Sequence, residues 1–336
     1  MALSDADLLR DFYVIAVVTN PERFETRYRL FREFMARMHG YGAKLLIVEG
    51  AYGDRPFEIT EEGNPWHVRV RTESELWHKE NLINLGISRL PTTWKYVAWI
   101  DGDLDFVRPD WMLETVHELQ HHAVVQMFED AIDLGPQHEF LTVTKSFMSC
   151  HKKGLIPGGG AKTVETAAAS DGASSSSSYL PLYKMVRGGQ LVWHPGYAWA
   201  ATREAIDTVG GLFELAVLGA ADHHMACALI GKGELSLPKA IHPNYKSAVM
   251  RWQERADRLH HNVGYVRGTI YHFWHGKKKD RKYKERWSVL QDCAYDPLRD
   301  VHRDWQGVLS LYPGHEALRD AIRGYFLARN EDSIDK

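Results

Sequence analysis

The stretch Tyr96-Val-Ala-Trp-Ile-Asp101-Gly-Asp103-Leu-Asp105-Phe constrains this chain more than any other. Its five leading apolar or aromatic residues read as a strand buried on both faces. The strand runs directly into three carboxylates at alternate positions, with a glycine between the first two. Burying unpaired carboxylates costs free energy, so acids delivered at the end of an apolar strand are not there for stability. A hard cation that in turn holds phosphate oxygens accounts for them economically. A solvated acidic loop is the simpler reading of the motif alone, so the rest of the chain has to decide.

Phe12 to Thr19 is a second apolar strand, followed by Asn20-Pro21 as a side-chain cap and a first-turn proline. Phe24, Tyr28, Phe31, Met35 and Met38 then recur at helical spacing until Gly40 and Gly42. Lys44 to Gly50 is a buried strand ending in Glu49, and His67 to Thr72 alternates like a half-exposed strand. Lys79 to Leu90 reads as a helix, Pro109 to His121 as another, and Ala123 to Phe128 as a strand. Strands alternating with helices predict a largely parallel α/β sheet, in which ligands gather at the carboxyl ends of the strands. Thr19, Asn20, Glu49, Asp101 and Asp103 all fall at such ends.

Between 151 and 190 the composition changes to Gly158-Gly-Gly160 and the serine tract Ser174 to Ser178, read as a flexible active-site loop. Beyond it, Trp193 to Thr202 reads as a strand and Arg203 to Val209 as a helix. Gly219 to Ile230 begins a further helix with Asp222 in its first turn, and Tyr265 to His275 is strand-like. Lys279 to Asp292, Arg299 to Leu309 and His315 to Arg329 read as helices, the last two packed on the outside.

The 336 residues suffice for a sizeable core, and 44% apolar with 25% charged residues is ordinary for a globular protein. A net charge of −3 supplies no general attraction to nucleic acid or anionic membrane, so any such binding needs a local patch. The N-terminus lacks a signal-peptide pattern, and no apolar run predicts membrane insertion. Three scattered cysteines, Cys150, Cys227 and Cys293, point to a reducing, cytoplasmic setting.

Taken together, these motifs resemble the GT-A-fold, nucleotide-sugar-dependent glycosyltransferases of the family-2-like group, including bacterial and phage types. The resemblance is carried by Thr19-Asn20-Pro21, Ile47-Val-Glu49, Trp77-His-Lys79-Glu-Asn81, Asp101-Gly-Asp103, Gly210-Gly-Leu-Phe with Ala221-Asp222, and Tyr271-His272-Phe-Trp-His275-Gly. It implies a Rossmann-like mixed, mostly parallel sheet flanked by helices, with a catalytic domain over 1–292 and a C-terminal helical extension over 293–336. It also implies Mn²⁺ or Mg²⁺ and a nucleoside diphosphate sugar, a UDP-sugar first among them. Thr19, Asn20, Glu49, Lys79, Asn81, Asp101 and Lys278 are then expected around the donor. The chain departs from the family in having Ala221 where an acid commonly precedes Asp222, and in adding Asp105 to the acidic motif.

The period of two along an extended segment places Asp101, Asp103 and Asp105 on one side. Asp103 is expected to be the direct ligand, Asp105 a further one, and Asp101 a contact to ribose or to ion-bound water. His272 and His275 have an odd spacing, so a regular strand would turn only one of them to the ion. His275, beside Gly276, is the preferred ligand. Asp222 suits a helix cap and also a base that deprotonates an acceptor hydroxyl in an inverting transfer. The basic run from Lys277 to Arg286 would meet donor phosphates or a polyanionic acceptor, and phage-type hydroxymethylated DNA bases are among the acceptors the resemblance allows. Other readings are a phosphoryl-transfer enzyme with an Asp-x-Asp nucleophile, or a non-catalytic carbohydrate- or nucleic-acid-binding module. Neither explains a mid-sheet acidic motif together with Asp222.

Overall fold

The computed structural model describes residues 4–156, 193–282 and 285–334, with the backbone alone at 278 and 279. Most of the expected Gly/Ser-rich loop, from 157 onward, lies outside the described residues. The strands are β1 (Phe12–Thr19), β2 (Leu45–Tyr52), β3 (His67–Thr72), β4 (Tyr96–Ile100), β5 (Leu104–Phe106), β6 (Val124–Gln126) and β7 (Asp130–Leu134). They continue with β8 (Phe140–Ser146), β9 (Trp193–His194), β10 (Ala198–Thr202), β11 (Val263–Tyr265), β12 (Thr269–His272), β13 (Val301–Arg303) and β14 (Leu309–Leu311). The helices are α1 (Asp5–Leu9), α2 (Glu25–Gly40), α3 (Lys79–Ser88), α4 (Trp111–Leu119) and α5 (Phe147–Lys152). After them come α6 (Arg203–Val209), α7 (Ala221–Leu229), α8 (Pro243–Ala256), α9 (Glu285–Asp292) and α10 (Glu316–Leu327).

A seven-stranded sheet runs in the order β11-β6-β10-β4-β1-β2-β3, with β10 alone antiparallel to its neighbours. The mixed, mostly parallel α/β architecture is therefore as the sequence predicts. Its central strands bury both faces, which is why they read as unbroken apolar runs. Along β1, Tyr13 and Ile15 face one core while Phe12, Val14, Ala16 and Val18 face the other. In β4, Val97 and Trp99 oppose Ala98 and Ile100 in the same way. The first core is closed by α3, α6, α7, α8, α9 and α10, the second by α2 and α4.

Four expectations need correction. Asn20-Pro21 does not start α2, whose N-cap is Phe24; the Asn20 amide instead brackets that turn, accepting from Phe24 N at 3.0 Å and donating to its carbonyl at 2.8 Å. The segment 193–202 is two strands, because Tyr197 takes a left-handed backbone (φ 77°) and breaks it. Residues 299–309 contribute strand to the β13–β14 hairpin and not a helix. Lastly, a second sheet, ordered β5-β12-β7-β8-β9, went unread. Most of β8 is exposed, although Phe140, Leu141 and Val143 are apolar.

The C-terminal residues are not peripheral. Leu318, Ile322, Tyr325 and Phe326 of α10 join the core that holds Ile15 and Val97, and Asp332 accepts from the Glu25 and Thr26 amides at the start of α2. No helix among the described residues is long and apolar enough to cross a membrane.

Candidate functional site

At the end of β4 the chain turns at Gly102 and Asp103 before entering β5, which pairs antiparallel with β12 so that Leu104 lies opposite His272. The Phe273 amide donates to the Asp103 carbonyl at 2.9 Å and clamps this junction. Strand β12 ends at His272. Gly276, at φ 84° and so close to the Asn330 carbonyl that a Cβ would lie 2.7 Å from it, lets the chain turn tightly there. The spacing argument that separated the two histidines assumed a strand running through both. Because the strand stops, both imidazoles converge on Asp103.

His275 Nε2 lies 3.1 Å and His272 Nε2 3.7 Å from Asp103 Oδ2, and the two ring nitrogens are 3.2 Å apart. Burial, aided by the nearby Arg281, holds His275 well below its ordinary pKa. Asp103 Oδ1 is buried without a hydrogen-bond partner, a costly state unless something else occupies it. One carboxylate and two imidazoles with ligand atoms within 4.8 Å of one another fit a divalent first-row cation, Mn²⁺ better than Mg²⁺.

These three residues line a cleft of about 200 Å³ at the carboxyl ends of β1 and β4. Thr19, Lys79, Glu80, Asp101 and Asp222 share it. Lys79 pairs with Asp101. Burial alone would depress the Lys79 ammonium, but Asp101, Glu80 and Asp222 together outweigh it and raise the pKa. Burial likewise raises Asp101, with Lys79 opposing. Glu80, 4% exposed, is pushed up to about 8 by burial, which the adjacent Lys79 only partly offsets.

Asp222 sits in the first turn of α7, behind Ala220 in a left-handed conformation. Its Oδ1 accepts from the His223 amide at 2.8 Å. Its Oδ2 lies over Gly196, where a Cβ would come within 2.4 Å, so only glycine lets the carboxylate settle there. His194 and Tyr197, stacked at 3.8 Å between ring centroids, wall the same side.

The cleft also has a cationic lining: Arg281 and Arg286 come from the basic run read in the sequence, whereas Arg27 and Arg329 come from parts that sequence reasoning passed over. Arg27 of α2 donates to the Thr19 carbonyl at 2.6 Å and forks onto Glu331, at 2.9 Å to Oε2 and 2.5 Å to Oε1. Arg329 also donates to Glu331, at 2.7 Å. Burial would raise the Glu331 pKa, but the two guanidiniums hold it down at about 2. Arg281 and Arg286 complete this lining. A charged C-terminal tail reads as a solvated end, so nothing local marked Arg329 or Glu331. Arg27 sits on a helix whose apolar stripe drew attention to other positions.

Several expected residues lie elsewhere. Asp105 accepts from Tyr41 Oη at 3.1 Å and lies 3.8 Å from Arg37, away from the histidines. The turn at Asp103 breaks the period of two that had put it on the same side. Glu49 is buried under the 58–60 segment, accepting the Glu58, Ile59 and Thr60 amides and the Thr60 hydroxyl. Asn81 binds Glu214, the Gly307 carbonyl and the Leu309 amide, tying α3 to the β13–β14 hairpin. Asn20 is committed to Phe24. The Lys278 side chain lies outside the described residues.

No protein-family model matches the chain, and neither does any curated protein sequence. Among solved structures it is similar to the catalytic domain of Drosophila beta1,4-galactosyltransferase 7 in complex with xylobiose, at 12% identity over 93% of this chain and 98% of that one, with a TM-score of 0.38. It is also similar to glucosyl-3-phosphoglycerate synthase from Mycobacterium tuberculosis in complex with Mn²⁺, UDP-glucose and phosphoglyceric acid. There the identity is 12%, the coverage 93% of this chain and 92% of that one, and the TM-score 0.36. Likeness this distant assigns no activity.

Glu80 makes the cleft pH-sensitive in a definite direction. Between the ordinary carboxyl value of 4.5 and about 8, the folded chain keeps a proton that the unfolded chain has released. Stability therefore falls as pH rises through that window. Glu80→Gln should remove the fall, gaining on the order of a few kcal/mol over wild type at pH 8 and nothing at pH 4. Urea unfolding at both pH values checks this; parallel pH profiles would mean that Glu80 titrates normally.

Proposed function

We propose that this chain is a metal-dependent glycosyltransferase of the GT-A type. It moves a sugar from a nucleoside diphosphate sugar, a UDP-sugar first among them, to an acceptor hydroxyl. The observation that most supports this is the convergence of Asp103, His272 and His275 in a cleft that also holds a separate carboxylate, Asp222, and a wall of arginines. A phosphoryl-transfer enzyme would need one acid free to act as nucleophile beside the ion. Here Asp101 is paired with Lys79, and Asp103 faces two imidazoles.

A divalent ion held by Asp103, His272 and His275 would neutralise the diphosphate and make it a better leaving group. Arg27 and Arg329, with Arg281 and Arg286 beside them, offer planar donors suited to phosphate oxygens. Thr19, at the end of β1, and the Lys79–Asp101 pair face the space where the nucleoside would lie. Asp222 would act as base: its Oδ2 takes the proton as the acceptor oxygen bonds to the sugar's anomeric carbon and the bond from that carbon to the diphosphate breaks, inverting the centre. The two arginines of the basic run are buried in the cleft and suit the donor's phosphates better than a polyanion lying across the surface.

A thermal-shift screen of UDP-, GDP- and dTDP-sugars with and without Mn²⁺ tests the donor. Transfer assays on glycan, lipid-linked and hydroxymethylated-DNA acceptors then test the reaction. One nucleotide should stabilise the chain in a Mn²⁺-dependent manner. Absence of any metal-dependent nucleotide binding would overturn the proposal.

A further inference from the structure

We infer that Asp133 is the positioning residue of the cation site: it fixes the tautomer of His272 so that the Nε2 lone pair points at Asp103 and His275. This rests on the metal-site reading proposed above. The second sheet creates the arrangement. Strand β7 lies beside β12 in parallel register, and Asp133 is the cross-strand partner of His272. A register irregularity between β7 and β8 falls directly after Asp133, the kind of local kink that re-aims a side chain.

Asp133 is 2% exposed and His272 4%, so both groups are cut off from solvent. The carboxylate Oδ1 lies 2.7 Å from His272 Nδ1 and 3.3 Å from the Tyr197 hydroxyl, which donates to it. A neutral imidazole has one N–H and one lone pair. With the lone pair on Nδ1, two acceptors would face each other at 2.7 Å in a buried site, a strongly unfavourable contact. With the proton on Nδ1, Nε2 presents its lone pair 3.2 Å from His275 Nε2. A metal-bound histidine oriented by a carboxylate on its other nitrogen is a recurrent arrangement, and the outer partner governs affinity without touching the ion. Tyr197 braces the pair. Its left-handed backbone sets its ring 4.7 Å from that of His272, and its carbonyl accepts the Asp101 amide at 3.0 Å.

Isothermal titration of the full chain with MnCl₂, comparing wild type with Asp133→Asn, reads the effect directly. The isosteric amide removes the charge and can present an N–H in place of the acceptor. Mn²⁺ affinity should fall by about 10–100-fold while the melting temperature without metal stays close to wild type. A purely structural Asp133 would instead lower the melting temperature and leave the Mn²⁺ affinity alone. Nitrogen-15 chemical shifts of the histidine rings in the wild-type chain at pH 8 supply a second measurement that needs no variant, and His272 should carry its proton on Nδ1. Wild-type Mn²⁺ affinity in Asp133→Asn, or an Nε2–H tautomer at His272, would overturn the inference. If wild type binds Mn²⁺ no better than Asp103→Ala, the metal site itself falls, and the role of Asp133 with it. Binding that needs Asp103 but ignores Asp133 removes this inference alone.

Discussion

Replacing Asp103 with alanine should abolish both sugar transfer and the stabilisation that Mn²⁺ confers. At a metal concentration 100 times its Kd, a single site adds about 2.7 kcal/mol to the folded state, and this gain should vanish in the variant. The expectation follows from geometry. Asp103 supplies the cluster's carboxylate, the acceptor-only ligand a hard cation requires, and two imidazoles cannot replace it. The variant should still fold, because Asp103 lies in a partly exposed turn and its Oδ1 makes no hydrogen bond that would be lost. Differential scanning calorimetry with and without Mn²⁺, alongside a transfer assay, gives both readouts. Undiminished turnover in the variant, or in wild type with excess chelator, would rule out a metal role for this cluster.

Asp222→Asn should separate binding from chemistry. Donor affinity should remain near wild type, since Asp222 is not one of the three clustered ligands. Turnover should fall by about 10²–10⁴-fold, the scale for a lost general base. Asparagine can still accept the His223 amide hydrogen bond, so the start of α7 should survive the change. A first-turn acid that served only the helix dipole would behave differently: its replacement by asparagine would cost about 0.3–1 kcal/mol of stability and leave turnover intact. Steady-state kinetics at saturating donor, read against thermal stability, distinguishes the two. Transfer at a near wild-type rate would leave Asp222 with the structural role only.

The architecture was legible where local pattern and buried environment agree. Strands β1, β2 and β4 are largely apolar because helices cover both faces of the sheet, and α3 could be read from 79 onward. The second sheet escaped notice for the opposite reason. In β8 the apolar Phe140, Leu141 and Val143 stand exposed, β5 has only three residues, and β12, though inside a segment read as strand-like, gave no sign of its partners. The helix expected over 299–309 failed because only cross-chain pairing of Val301 with Leu311 makes that segment a strand.

Among the acids, the sequence by itself determined which carboxylates follow closely on apolar runs, although β2 continues through Glu49 to Tyr52 where a strand end was expected. It could not determine which of them face the cleft. Asp105 is two residues from Asp103 yet binds Tyr41, because a turn intervenes. Glu49 lies within β2, the parallel neighbour of β1, and spends its oxygens on the amides of 58–60. The tertiary structure alone brought Asp103, Asp133, His272 and His275 together and closed the cleft with Arg27, Arg329 and Glu331. They come from segments of the chain that lie tens to hundreds of positions apart. Their meeting depends on strand register and on the docking of the C-terminal segment, which arise only when the whole core is buried at once.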